Sequence, residues 1–258
     1  EGQDTDKGIV ENGETVTLGP GESNGITEAE TRNKYGNVSL VGDKARMEFY
    51  FPEKPNGQMV VVCPGGGYST VCAIKEGEDV AKWMNKRGVT VCVVVYRLPN
   101  GHAKVPLTDV QNAFRYCRKH AAEWGISQIG IMGFSAGGHL AASASVLFTD
   151  SITRPDFSVL IYPVIDLAHH EGTRKELVGD DNMLKEKYSL QNQIGEDTPR
   201  TFIALCQDDK VVNPKSSLLY YNSLLDKGIK AEMYIFPTGG HGWGFLNEEI
   251  SGRKDGLA

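Results

Sequence analysis

No apolar run in this sequence approaches the roughly 20 residues of a membrane span, so no spanning helix is expected. Basic residues are not in excess either. Lys and Arg number 27 against 33 Asp and Glu, a net charge of −6, which removes the electrostatic case for a nucleic-acid partner. Cysteine is scarce, with five in 258 residues, and no CxxC or Cys/His spacing suggests zinc. Cys63, Cys92 and Cys206 lie in strand-like runs and Cys117 in a helical one, where a free thiol serves as a small hydrophobe. A Cys63–Cys72 approach stays open, but the pattern is not a disulfide scaffold. Internal repeats and an interdomain linker are also lacking.

What is present is uneven. Residues 1–30 carry eight acids and one base, leaving the remainder close to neutral. Residues 1–27, rich in Gly, Thr, Glu and Asp with little apolar periodicity, read as a mobile or edge-lying segment. Residues 28–258 read as one α/β domain. The chain opens on Glu1 rather than Met, which suits removal of a signal peptide and a secreted or periplasmic bacterial protein.

Strand-like runs fall at residues 36–41, 45–51, 59–63, 89–95, 128–132, 156–162, 201–206 and 230–236. Gly42-Asp43 predicts a hairpin between the first two. The run at 59–63 is continuously apolar and β-branched, as parallel strands buried on both faces are, and 89–95 reads as a second buried strand. Helical spacing predicts helices over 76–87, with Val80, Trp83 and Met84 on the buried face, and over 105–124, 136–148 and 215–227. Strands alternating with helices predict a mostly parallel, doubly wound eight-stranded sheet with helices on both faces. A polar insertion at 167–197 holds a short helix over 173–178.

One stretch organises the rest. Gly133-Phe134-Ser135-Ala136-Gly137 has the form G-x-S-x-G between an apolar run and a small-residue helical run. That is the strand–turn–helix context of a nucleophile elbow, in which the residues two before and two after the serine must be small. A serine hydroxyl needs a base, and the base needs an orienting group. Of six histidines, His241 alone lies in a glycine-rich loop directly after the last strand, at the sheet edge where open α/β folds bind ligands. His139 lies on the elbow helix as a supporting or packing residue, and His102, His120, His169 and His170 read as solvated or structural. Asp209 is the favoured acid, after the strand before last, with Asp208 near it and Asp166, one strand earlier, as alternatives. Two N–H donors for an oxyanion are expected from Ala136 and from Gly66 and Gly67 in Pro64-Gly65-Gly66-Gly67-Tyr68, with Tyr68 close behind. No G-K-[ST] closes that run, so it is not a phosphate loop. The aromatics Tyr68 and Trp243 flank these loops, where they either meet substrate or pack.

The runs Cys63 to Ser69, Tyr96-Arg97-Leu98-Pro99, Gly133 to Leu140, Ile161 to Ile165, Asp208 to Val212 and Gly239 to Gly242 resemble those of bacterial α/β-hydrolases of the acetyl esterase/lipase group. Within it they are similar to carbohydrate esterases that act as acetylxylan or feruloyl esterases. The resemblance covers about residues 34–247. It departs at Cys63-Pro64, where a histidine is usual, and at Asn213, where proline is frequent. It implies an α/β-hydrolase fold, the triad Ser135, His241 and Asp209, no metal or organic cofactor, and an acylated plant oligo- or polysaccharide as substrate. Acetyl is the expected acyl group. A feruloyl esterase, a serine peptidase of this fold and an inactive binding module are the alternatives.

Overall fold

The structure is a computed structural model that describes residues 11–19 and 21–244. The expectations for residues 1–10 and for Pro20 lie outside that range. The strands are β1 (Thr15–Thr17), β2 (Thr31–Arg32), β3 (Val38–Ser39), β4 (Arg46–Tyr50), β5 (Gln58–Cys63), β6 (Thr90–Val95), β7 (Gln128–Phe134), β8 (Ser158–Ile161), β9 (Thr201–Cys206) and β10 (Ala231–Phe236). The helices are α1 (Asp79–Asn85), α2 (Lys104–His120), α3 (Ala136–Val146), α4 (Glu171–Val178), α5 (Asn182–Lys187) and α6 (Lys215–Asp226).

Eight strands form one sheet in the order β1-β4-β6-β5-β7-β8-β9-β10. β4 is antiparallel to both its neighbours, and every pair from β6 to β10 is parallel. The central strands follow the continuous-run rule: β6 is buried throughout, and β5 is buried after its first residue. From β5 the chain goes to β6 on one side, then returns through α2 to β7 on the other. That reversal opens a crevice beyond the C-terminal ends of β5 and β7. Their register pairs Cys63 with Gly133, so the glycine run after β5 and the serine after β7 emerge side by side.

The expected hairpin does not form. Residues 36–41 contribute β3, which pairs with β2 in a separate two-stranded sheet. The edge place beside β4 is taken by β1 instead. Side chains decide this. Asn24 Nδ2 donates to the carbonyls of Val41 and Leu98, and Leu98 N–H also donates to Val41. Gly42 lies so close to Ile26 that a Cβ would sit 2.6 Å from its carbonyl oxygen. The segment is therefore tied to the N-terminal arm and to the loop after β6, and cannot fold back on β4. Trp83 also departs from expectation. It is 38% exposed and carries the Arg87 guanidinium 3.4 Å from its ring centroid, while Val80 and Ala81 supply the buried face of α1.

The loop after β6 is fixed by a buried ion pair. Arg97 and Asp109, the latter on α2, meet through two-pronged contacts as short as 2.8 Å, and Arg97 Nη1 also donates to the Glu22 carbonyl. Asp109→Asn leaves the guanidinium buried without its counter-charge. Stability is expected to fall by about 3–5 kcal/mol, read as a lower urea midpoint with an unchanged m-value.

Candidate active site

Ser135 sits between β7 and α3 with φ 56° and ψ −119°, a conformation that a residue with a Cβ adopts only under compulsion. The compulsion is packing. A Cβ on Gly133 would lie 2.1 Å from the Gly137 carbonyl oxygen, and one on Gly137 the same distance from that of Cys63. Ser135 N–H donates to the Ile161 carbonyl, and the Ser135 carbonyl accepts from Val164 and His139, so the turn is stapled to the exit of β8. The helix behind it is buried from Ala136 to Ser145. Its small side chains let it lie close to the sheet, and the hydroxyls of Ser143 and Ser145 return to the carbonyls of His139 and Ala141.

The structure brings His241 and Asp209 to this serine. Ser135 Oγ lies 2.8 Å from His241 Nε2, and His241 Nδ1 lies 2.7 Å from Asp209 Oδ2. A carboxylate beside Nδ1 fixes the tautomer with its proton there and leaves the Nε2 lone pair facing the hydroxyl. Asp209 Oδ1 accepts the N–H groups of Val211 and Val212, both at 2.9 Å. Burial pushes this carboxyl up, but His241 and those two amides outweigh it and hold its pKa below the usual value. The loop that carries His241 turns through glycines at 239, 240, 242 and 244, all with positive φ.

The other two acids have different partners. Asp208 Oδ1 accepts from Gly240 N–H at 2.7 Å and so shapes the histidine loop. Asp166 caps a short helical turn through Ala168 N–H and accepts from Ser189 Oγ and Gln191 Nε2, fastening the 167–197 insertion.

The glycine run lies against the elbow: a Cβ on Gly65 would sit 3.1 Å from Ser135 Cβ and 2.6 Å from the Phe134 carbonyl oxygen. Gly65 N–H donates to Glu76 Oε1, and Tyr96 Oη–H donates to the Pro64 carbonyl. Gly65 and Gly66 carbonyls accept from Cys72 and from Ser69 and Thr70. Among the described residues none of these bonds uses the N–H groups of Gly66, Gly67 or Tyr68. Ala136 opens α3, so its N–H has no carbonyl one helical turn back. These are the donors a developing oxyanion needs.

Of the two roles the sequence left open for Tyr68, the structure shows packing. Its ring is 1% exposed, with φ 61°, and its hydroxyl lies 2.9 Å from His139 Nδ1. His139 Nε2 lies 2.7 Å from the Tyr188 carbonyl. A carbonyl only accepts, so Nε2 carries the proton and Nδ1 accepts from Tyr68. Burial pushes the His139 pKa down to about 4, keeping this imidazole neutral as it ties glycine run, elbow helix and insertion together. Trp243 is partly buried and stands edge-on to Tyr162 with centroids 4.9 Å apart.

Three neighbours of the site escaped the sequence. Glu76 is buried beneath the glycine run, and Tyr162 lays its ring 4.6 Å from that of His241. His170 caps α4 by accepting from Thr173 N–H. Burial first, then the charge of His241, lowers its pKa, which puts it beside the catalytic candidates rather than in free solvent. Tyr162 lies in a run that the resemblance quoted, but Glu76 and His170 carry no local signal. Among the described residues no cluster of three His, Cys, Asp or Glu is placed to hold a metal ion, and no helix is long and apolar enough to cross a membrane. A separate cleft of about 580 Å³ lies at the N-terminal ends of the strands, lined by Gln58, Phe157, Arg200 and Lys230, away from all three triad candidates.

Comparison with known proteins agrees with this architecture. A model of the alpha/beta hydrolase fold matches residues 60–194, more than half of the chain, including the glycine run and Ser135. An acetylxylan esterase of Xylanibacter ruminicola is 37% identical over 230 residues, 84% of this chain and 48% of that protein. Endo-1,4-beta-xylanase B of Butyrivibrio fibrisolvens is 35% identical over 211 residues, 74% of this chain and 33% of that protein. The chain thus spans about half the length of the first of these curated relatives and a third of the second. The crystal structure of an acetyl ester-xyloside bifunctional hydrolase from Caldicellulosiruptor lactoaceticus superposes with a TM-score of 0.79 at 33% identity, covering 95% of this chain and 93% of that one. On its fold and on the matched family model, the chain belongs to the α/β-hydrolase family.

Proposed function

We propose that this chain is a serine esterase that removes acetyl groups from xylan or its oligosaccharides through Ser135, His241 and Asp209. The observation that carries the reading is the pair of contacts at 2.8 Å and 2.7 Å that joins the three side chains beside the glycine run and the N-terminus of α3. The Ser135 oxygen attacks the ester carbonyl carbon while His241 Nε2 takes its proton. The carbonyl electrons move onto the oxygen, which the N–H groups of Ala136 and of Gly66 or Gly67 receive. Collapse expels the sugar alkoxide, which takes the proton back from His241 and leaves an acetyl-enzyme. Water, deprotonated by the same imidazole, then attacks that ester and releases acetate. Asp209 holds the tautomer and stabilises the imidazolium. The names of the relatives, an acetylxylan esterase and an acetyl ester-xyloside hydrolase, support the substrate class. Action on a plant polysaccharide fits the secreted or periplasmic location proposed from the sequence, and residues 28–258 are proposed as one domain.

The insertion supports a small acyl group. Its apolar side chains Leu167, Leu177, Val178, Tyr188 and Leu190 are buried, and Met183 is its one exposed large apolar residue. The buried side chains cannot line an open apolar trough, which leaves Met183 alone. The kcat/KM for p-nitrophenyl esters is expected to fall about tenfold or more from acetyl to butyryl and further to octanoyl. Each methylene that does not fit forgoes about 0.8 kcal/mol of burial and adds strain. Acid release from acetylated xylan, other acetylated glycans and feruloylated arabinoxylan, measured with one preparation, tests the substrate. A flat or rising ester series, or preference for the feruloylated polymer, would overturn the acetyl reading. Inertness of the pure protein towards every ester would favour a binding module.

A further inference from the structure

We infer that Glu76 is a positioning residue that clamps the oxyanion loop and the histidine loop to each other through Tyr162. The inference rests on the esterase reading above. Glu76 lies at the start of the first crossover, is 5% exposed, and has donors on both carboxyl oxygens. Oε1 accepts from Gly65 N–H at 3.2 Å, at the base of the glycine run. Oε2 accepts from Tyr162 Oη–H at 2.6 Å. The Tyr162 oxygen in turn accepts from Gly244 N–H at 2.8 Å, three residues after His241.

One carboxylate thus joins two loops that leave different strands, and Tyr162 is fitted to the task. Its ring contacts the imidazole of His241 and the indole of Trp243. Its backbone holds φ 34°, a strained value for an aromatic residue, at the exit of β8. Two acceptor oxygens facing two donors is the arrangement of an ionised carboxylate.

Burying such a group is costly unless something uses it. Burial raises the Glu76 pKa, and the Tyr162 bond, the His241 charge, the Gly65 amide and Lys75 act in the opposite sense. The titratable groups around it are Tyr162, His241, Lys75, Cys72 and Tyr96. Of these, His241 changes charge during turnover. By reciprocity, a carboxylate stabilised by the imidazolium stabilises the imidazolium in return. Glu76 therefore sets the distance between the oxyanion donors and the base, and lends His241 a second negative neighbour besides Asp209.

Three variants test this on p-nitrophenyl acetate: Glu76→Gln, Tyr162→Phe and the double variant. Glutamine keeps the shape but has one acceptor oxygen, so it can accept from Gly65 or from Tyr162 and not from both. Phenylalanine keeps the ring on His241 and removes the bridge. Each single variant is expected to lose about 10- to 100-fold in kcat, with KM within about threefold, the scale of a small misplacement of reacting groups. The double variant is expected to be no worse than the poorer single one, since both break the same connection. In Glu76→Gln the acidic limb of the kcat/KM profile moves to lower pH, because the imidazolium has lost a negative neighbour; in Tyr162→Phe it moves less. A folded Tyr162→Phe with wild-type kcat overturns the inference even if Glu76→Gln does not fold. Losses that simply multiply in the double variant, or a rise confined to KM, overturn it as well. Wild-type protein inert on every ester overturns the esterase reading and this inference with it, whereas an active wild type with unaffected variants overturns the inference alone.

Discussion

Ser135→Ala is expected to abolish hydrolysis of p-nitrophenyl acetate and to leave the thermal unfolding midpoint where it was. The hydroxyl is the only atom removed. In serine triads that loss costs on the order of 10⁶ in kcat, and the remaining rate comes from the oxyanion donors and from binding. The fold has no reason to respond. Alanine has the same Cβ that the elbow already accommodates at φ 56°, and the contacts that staple the turn run through the backbone of residue 135 to Ile161, Val164 and His139. Turnover at near the wild-type rate, with the substitution verified by mass, would remove Ser135 as the nucleophile.

Asp209→Asn is expected to lower kcat by about 10⁴ with the structure intact. An asparagine can still accept the amides of Val211 and Val212 through its carbonyl oxygen, so the loop keeps its shape. Its NH₂ group then faces His241 Nδ1 and donates to it. That bond drives the proton to Nε2, where it points at Ser135 Oγ and blocks the removal of the serine proton. Asp208→Asn keeps an acceptor for Gly240, and Asp166→Asn keeps one for Ala168, so each is expected to cost less than about tenfold, the range of changes away from reacting groups. If Asp166→Asn proves the damaging change, the orienting acid follows β8 rather than β9.

The difference between what could be read from the chain and what could not has a physical basis. The elbow was legible because its geometry forces small residues at fixed spacing, and Gly133 and Gly137 are those residues. The central strands were legible because burial on both faces leaves only apolar residues after Gln58 in β5 and after Thr90 in β6. The edge was not. β1 is three residues long and pairs with β4 through backbone bonds that carry almost no side-chain code, while the hairpin suggested by Gly42-Asp43 lost to contacts with Asn24 and Ile26. Glu76 was invisible for a related reason. In sequence it stands among Lys75, Gly77 and Glu78 as an ordinary polar helix start, and its burial depends on a tyrosine 86 residues away. The place of Tyr68 stayed open between substrate and packing because a positive φ turns its side chain inward to His139, and neighbouring letters do not disclose that turn.

The insertion between β8 and β9 contributes neither His241 nor Asp209, the side chains that join Ser135, nor the amides of the glycine run. It is fastened by Asp166 through Ala168, Ser189 and Gln191, by His139 through the Tyr188 carbonyl, and by His169 against Ser216. The insertion and the residues that meet at Ser135 are thereby encoded in separate stretches of the gene. Substitutions within the insertion therefore leave those residues themselves unchanged, and Asp166, together with His139 through the Tyr188 carbonyl, keeps the insertion in register with the sheet.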